Sequence, residues 1–323
     1  MSKTLYVKSA IPYGLIDQIL YKTNKSKIIF HIDLQSISRG LYNKNNVFYE
    51  INHYMQNNKP SDLYINEYRD FLNNLFIRFK RYNPFFVTFY DDGHNSQNLS
   101  INSSYKGGRS KLTDIIEEDE ELMLYRRIKK RYFEEIEKKC NVKNIGKVYY
   151  LKEYESDLIP FYIITNNYFE SNKNSTLNVI LSNDKDLLQC CQFNNTIQIT
   201  NTFIPDDTGR RKLRMECWDN NNAVTYMYRK FRKGSITSKD IPLILALSGD
   251  KADNIKGIKG VGPKKAINLI ENFNIPSDPT ELENKLESMP KIIKDNINMI
   301  VKNIKMISFK EQIKRTKLEK EKL

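Results

Sequence analysis

Lys27–Asp33 reads KIIFHID, a run of branched and aromatic side chains that closes on a carboxylate. A near-continuous apolar run of this length is what a strand buried on both faces requires. The pattern recurs along the chain. Phe85–Tyr90 (FFVTFY) runs into Asp91 and Asp92, Val148–Leu151 precedes Glu155 and Asp157, and Leu177–Ser182 precedes Asp184 and Asp186. Helical sequence separates these strands. The clearest helix lies near 61–80, where Ser61 is placed to cap and Tyr64, Tyr68, Phe71, Leu72, Leu75, Phe76 and Phe79 share one face. Strands alternating with helices predict a parallel sheet covered on both faces.

Each predicted strand therefore delivers an acid to its C-terminal end, the edge at which open parallel sheets bind ligands. Taken singly, such an acid is more often a helix cap or loop residue. As a set at corresponding strand ends, the acids would repel one another, and burial would raise their pKa values. A divalent cation resolves that conflict. Mg²⁺ takes oxygen ligands and keeps several waters. Two such ions, about 3.5–4 Å apart, can hold the attacking and leaving oxygens of a phosphodiester. Asp184-Lys185-Asp186 is the best local case, because its i,i+2 spacing in a turn brings two carboxylates towards one cavity.

Ser248–Ile270 reads SGDKADNIKGIKGVGPKKAINLI. Within it, Ile258–Ile270 fits a helix-hairpin-helix. Gly260 and Gly262 are expected where a side chain would clash in a tight hairpin. Pro263 suits the first position of the following helix. The hairpin amides and helix N-terminus then face outward to grip a phosphate, with Lys264 and Lys265 adding charge. Such a hairpin holds backbone without reading sequence. Asp250 and Asp253, just upstream, are placed to complete a metal cluster.

The 323 residues suffice for a large α/β domain and a smaller second one. Fifty-two Lys+Arg against 39 Asp+Glu give a net charge of +13, which suggests a polyanionic partner. No apolar run approaches the roughly 20 residues of a membrane span. The N-terminus lacks a signal-peptide core, so an intracellular, cytoplasmic location is expected. The four cysteines have no metal-ligand spacing, and with three histidines a zinc site is not expected. Residues 1–26 read as a polar extension whose few apolar residues could pack as a flap. Residues 196–230 read as a short β-ribbon region, and 311–323 as a charged tail.

Together these motifs resemble the structure-specific 5′ nuclease family, which includes flap endonucleases, the 5′-nuclease domains of bacterial DNA polymerase I and the phage ribonuclease H enzymes. The resemblance runs from about residue 27 to about residue 310, with the motifs in family order. It implies an α/β, PIN-like parallel sheet flanked by helices, with a helical arch and a C-terminal helix-hairpin-helix subdomain. The core would span 27–237, the arch about 105–140, and the hairpin subdomain 238–310. Asp33 in HIDLQS is similar to the family's first acid, and Asp91 in VTFYDDG to the second. Glu155 and Asp157 in YESDL, Asp184 and Asp186 in SNDKDLLQ, and Asp250 and Asp253 match the later ones. YKGGR, Tyr105–Arg109, resembles the basic motif at the foot of the arch, so Lys106 and Arg109 would contact the scissile phosphate. Many members carry a further acid where this chain has Leu158, which would weaken metal binding at most.

The implied activity is two-metal hydrolysis at the 5′ ends or flaps of branched or nicked DNA and RNA–DNA hybrids. Two Mg²⁺ ions, replaceable by Mn²⁺, would serve as cofactors. No histidine is needed as a base, because the metal supplies the nucleophile; His94 reads as a surface-loop residue. The implied role is primer or flap removal in replication, by a monomer meeting replication proteins, and the composition suggests a phage or viral source. Two alternatives stand beside it. One is a non-catalytic, structure-specific DNA binder with a degenerate nuclease core. The other is an RNA-cleaving relative of toxin-type nucleases, which are usually shorter and lack the hairpin and arch.

Overall fold

In the computed structural model, KIIFHID lies inside a mixed sheet, with neighbours on both sides. The model describes residues 13–34, 36, 44–59, 61–90, 96–105, 134, 137–138, 145–151, 154–166, 175–205, 211–224 and 236–316. Among these, the strands are β1 (Lys27–Asp33), β2 (Phe85–Phe89), β3 (Gly146–Tyr149), β4 (Thr176–Leu181), β5 (Thr196–Pro205) and β6 (Arg211–Trp218). They form one sheet in the order β3-β2-β1-β4-β5-β6. β1 pairs in parallel with β2 and β4, and β5 with β4, while β6 returns antiparallel along β5. The predicted ribbon at 196–230 is thus the edge of the main sheet, extending it rather than standing apart.

The chain builds outward from β1 through β2 to β3, then crosses back to lay β4 on β1's other side. That reversal puts a topological switch point at the carboxyl ends of β1 and β4, where the strand connections diverge and leave a crevice. Asp33 ends one strand there, and Ser182–Asp186 follow the other.

Helices cover both faces, because β1 is apolar on both. Ile28, Phe30 and Ile32 face one layer with α3 (Asp62–Phe79), whose Phe71, Leu72, Leu75 and Phe79 are buried. Phe30 meets Phe79 and Phe86 at ring-centroid distances of 5.4 and 5.7 Å. Ser61 occupies the N-cap position of α3 in extended backbone, but its side chain makes no capping bond. The supposed flap is part of this layer. α1 (Tyr13–Lys22) buries Ile16 and Leu20 completely, one helical turn apart. Ile29 and Ile180 face the opposite layer, with α5 (Leu158–Asn166). Pro160 falls in the first turn of α5, where its missing N–H costs no helical bond. The remaining described helices of the core are α2 (Lys44–Asn57) and α4 (Ser96–Ile101).

His31 shares the second layer and is fully buried. Asn178 Oδ1 can only accept, so Nε2 carries the proton of their 2.9 Å bond, and Nδ1 has no partner among the described residues. Burial lowers the His31 pKa to about 4, with the Asn178 bond opposing it. Above pH ~6.5 neither folded nor unfolded chain protonates this ring, and it is neutral towards stability. Below that, the unfolded chain takes up a proton that the folded one refuses, until the folded pKa is reached. Stability should therefore fall by about 3 kcal/mol between pH 6.5 and 4. Denaturant melts of parent and His31→Gln over that range check this: the variant should lack that segment of the slope.

The C-terminal elements are α6 (Ile241–Ser248), β7 (Gly249–Asp250), β8 (Ile255–Lys256), α7 (Pro263–Phe273), α8 (Pro279–Asn284), α9 (Lys291–Lys294), α10 (Ile297–Ile307) and α11 (Phe309–Thr316). Their core is shared with the sheet domain: Tyr105, Leu188, Cys191 and Trp218 pack with Leu243, Ile267 and Ile304. Polar ties reinforce the join. Gln189 donates to Ile307 O and accepts from Phe309 N–H, both at 3.1 Å. Asn254 donates to Ser104 O at 2.8 Å, so the chain entering the predicted arch is held from the C-terminal side. The charged stretch 106–133 of that arch lies outside the described residues.

Candidate metal centre and nucleic-acid interface

The site starts from Asp33, nearly buried at the end of β1. Its Oδ2 accepts the Ser182 hydroxyl at 2.6 Å, and its Oδ1 accepts the Ser36 N–H at 2.9 Å. Ser36 Oγ in turn accepts the Asn183 N–H at 2.8 Å, and Ser182 Oγ accepts the Asp184 N–H at 3.0 Å. The loops after β1 and β4 are thereby stitched across the switch point. Asp184 Oδ1 then accepts the N–H of Asp186 at 3.0 Å, the turn that the DKD spacing predicts.

Asp186 opens a 3-10 helix, Asp186–Gln192. Its Oδ1 is buried with no hydrogen-bond partner among the described residues. Burial pushes its pKa well up, and the neighbouring charges of Asp184, Asp253 and Asp250 add to this, with Lys185 offsetting part. The C-terminal acids are therefore within electrostatic reach of the DKD turn. Asp250 and Asp253 are both buried at the start of the hairpin segment. Lys185 Nζ reaches Asp250 Oδ2 at 2.5 Å. Burial depresses the Lys185 pKa, but Asp186, Asp250 and Asp253 outweigh it and the net shift is upward.

Tyr105 joins the other side. Its hydroxyl donates to Glu155 Oε1 at 3.1 Å, and Glu155 is itself nearly buried. Burial first, then the charges of Glu155, Asp253 and Asp186, hold the phenol protonated. One tyrosine thus senses acids from three separated stretches. Asp157 is half-buried beside them in sequence, and its charge is felt at the Cys190 thiol.

Hydrogen bonds tie Asp33 to the Asp184–Asp186 turn through Ser182 and Ser36, Asp250 and Asp253 act on Asp186 through their charge, and Tyr105 links Glu155 to the same group. Asp91, Lys106 and Arg109 lie outside the described residues. Among the described residues, no three His, Cys, Asp or Glu side chains are gathered tightly enough to hold an ion. The Lys185 ammonium supplies the local counter-charge. The donor set nevertheless fits a hard divalent cation. It is all oxygen, and it includes a buried carboxylate oxygen with no donor among the described residues. The sequence did not single out Ser36, Ser182, Lys185 or Gln198, and it quoted Tyr105 without giving it a role.

Of the helix-hairpin-helix expected within Ile258–Ile270, only the second helix lies there; its partner helix ends at Ser248, and a two-stranded ribbon intervenes. α6 and α7 are joined through the β7–β8 ribbon and the Gly257–Gly262 turn, and Pro263 is the first residue of α7. A Cβ at Gly260 or Gly262 would meet nothing within 4 Å, so neither is required by a clash. Gly260 is required by its φ of +76°, whereas Gly262 at φ −83° is ordinary N-cap backbone. The crowded glycines are Gly249 and Gly257, where the ribbon strands touch. Lys264 and Lys265 are exposed at the N-terminus of α7.

Residues 236–322 match the family model described as "5′-3′ exonuclease, C-terminal SAM fold". Over 128 residues the chain is 30% identical to a 5′-3′ exonuclease of Aquifex aeolicus (strain VF5), covering 39% of this chain and 38% of that one. It is 27% identical over 227 residues to a 5′-3′ exonuclease of Mycoplasmopsis pulmonis (strain UAB CTIP), covering 70% and 62%. The matched stretches thus span less than two thirds of either relative. In structure the chain is similar to the bacteriophage T5 D15 flap endonuclease in a pseudo-enzyme–product complex with DNA and metal ions. The TM-score is 0.57 at 14% identity, over 89% of this chain and 90% of that one.

Proposed function

We propose, from a chain whose residues 236–322 belong to the C-terminal SAM-fold family of 5′-3′ exonucleases and whose sheet has the fold of a structure-specific 5′ nuclease, that it is a divalent-metal-dependent 5′-3′ exonuclease and flap endonuclease. The observation that supports this is a buried Asp186 oxygen lacking a donor among the described residues, with the charges of Asp184, Asp253 and Asp250 near enough to raise its pKa. The substrates are 5′ ends and flaps of branched or nicked DNA and RNA–DNA hybrids. The role is primer or flap removal in replication.

Asp33, Asp91, Glu155, Asp157 and Asp184 would hold one Mg²⁺, and Asp186, Asp250 and Asp253 a second, with Mn²⁺ able to replace either. Bound there, the ions lower the pKa of a ligated water and neutralise the phosphate. The protein does the rest. Ser182 and Ser36 hold Asp33 in orientation, and the Tyr105 hydroxyl holds Glu155. Lys106 and Arg109 orient the scissile phosphate and meet its developing charge. The turn around Gly260 and Gly262 and the ammonium groups of Lys264 and Lys265 grip the duplex backbone beyond the cut. The protein works as a monomer inside the cell, alongside replication proteins.

The test uses a 5′-labelled flap duplex and a nicked RNA–DNA hybrid, each with Mg²⁺ and with EDTA. Junction cutting in Mg²⁺ and none in EDTA is expected. Tight binding without cutting would leave a structure-specific DNA binder in its place. Binding to the flap in EDTA should weaken linearly in log–log form as salt rises. In the double variant Lys264→Ala/Lys265→Ala that slope should fall by about 2, one for each lost phosphate contact. An unchanged slope would remove this helix N-terminus from the interface.

A further inference from the structure

Gln198 lies in β5, one strand away from the acids, and is fully buried. Its Nε2 donates to two carbonyls of the loop after β4: Ser182 O at 3.1 Å and Asp184 O at 2.6 Å. Its Oε1 is buried with no partner among the described residues. Two carbonyl acceptors on one side fix the amide's orientation, because only the NH₂ can donate. A buried carbonyl left without a donor is unfavourable, and a methionine of similar shape would remove it. The amide is therefore held here for its two donors rather than for its oxygen. What the amide does is fix the carbonyls of Ser182 and Asp184 together, and with them the backbone between. The Asp184 carboxylate projects from that turn, and its Oδ1 receives the Asp186 N–H.

We propose that Gln198 is a positioning residue for the metal-binding carboxylates, holding the Ser182–Asp184 turn so that Asp184 and Asp186 are set for a divalent cation before it arrives. This rests on the nuclease reading above. Gln198 touches neither ion nor substrate and acts through the loop. Preorganised ligands bind metal more tightly than ligands that must first be ordered, and loss of an outer partner commonly costs about 10–100-fold in metal affinity or activity.

The test is Mn²⁺ binding to the full chain without substrate, read from the electron paramagnetic resonance of free Mn²⁺, for the parent, Gln198→Met and Thr200→Val. Thr200 lies two residues along the same strand and accepts the Trp218 indole N–H at 2.8 Å. Its valine variant loses a buried bond without touching the loop. Gln198→Met should melt lower, because two loop carbonyls lose their donor, but unlike Thr200→Val it should also bind Mn²⁺ about tenfold more weakly and recover flap cutting as Mn²⁺ is raised. Thr200→Val should melt lower with unchanged Mn²⁺ affinity. Gln198→Met binding within twofold of the parent, or Thr200→Val weakening it equally, would overturn the assignment. Should Gln198→Met not fold, the parent's Gln198 side-chain amide protons decide. Slow exchange and a shift on Mg²⁺ addition support the proposal, and no shift at saturating Mg²⁺ refutes it. A parent that binds no Mn²⁺ would instead remove the two-metal reading, and this inference with it.

Discussion

An Asp186→Asn protein is expected to melt above the parent in EDTA yet cut a 5′ flap about 10³-fold more slowly in Mg²⁺. Both effects have one cause. Burial, and then the charges of Asp184 and Asp253, raise the Asp186 pKa well above the usual carboxylate range. A carboxyl whose folded pKa is raised gives up stability as pH rises through its unfolded value, because ionisation costs more in the folded chain. Asparagine keeps the shape and removes that charge, for a gain of about 2–4 °C in Tm. The same change removes an anionic oxygen from the proposed metal site, where a bound cation would be worth several kcal/mol to the transition state. Mg²⁺ should accordingly raise the Tm of the parent and raise that of the variant much less. A variant that melts lower, or cuts at the parent's rate, would mean that Asp186 is an ordinary structural acid.

Gly257→Ala is expected to cost about 3–5 kcal/mol and to abolish cutting. An added Cβ would lie 2.2 Å from Ser248 C and 2.3 Å from Gly249 N. Both are backbone atoms, so no side chain can swing away. Gly249 cannot yield either, since its own φ is +81° and its own Cβ position is 2.6 Å from Gly257 N. The ribbon would have to open, and Asp250 and Asp253 lie on it or within its loop. Gly260→Ala makes the contrast. It meets open space and is strained only by its φ, so about 1–2 kcal/mol is expected, with cutting retained at saturating substrate. Denaturant melts and single-turnover cutting of the two variants distinguish these cases. Equal losses would mean that the close approach of Gly257 to Ser248 is not what holds the ribbon shut.

What could be read from the sequence was whatever is carried by contiguous residues. KIIFHID, FFVTFY and LNVILS declare buried strands because β1 and β4 are apolar on both faces. The acids that follow them reach the switch point because parallel strands all end on one edge. The hairpin declared itself through Gly, Pro and Lys in register. The parts that stayed hidden depend on partners far apart in the chain. The Tyr105 hydroxyl meets Glu155 across 50 residues, and Ser182 meets Asp33 across 149. Gly249 and Gly257 appear as ordinary loop glycines until the ribbon brings them together, whereas Gly260 and Gly262 drew attention through spacing. The antiparallel return of β6 was equally hidden, because a two-stranded ribbon and a sheet edge share one alternating pattern. The burial of Ile16 and Leu20 also went unseen, since α1 is short and its apolar residues follow a lysine- and serine-bearing N-terminus that reads as an extension.

The most direct test of the central claim is to locate divalent ions by anomalous diffraction from crystals soaked in Mn²⁺ at a concentration that supports flap cutting. The account predicts Mn²⁺ at the carboxyl ends of β1 and β4, ligated by oxygens of Asp33, Asp91, Glu155, Asp157, Asp184, Asp186, Asp250 and Asp253, with Asp250 released from Lys185. Cutting in Mn²⁺ by a protein whose ions sit elsewhere, with the Lys185–Asp250 pair intact, would contradict it.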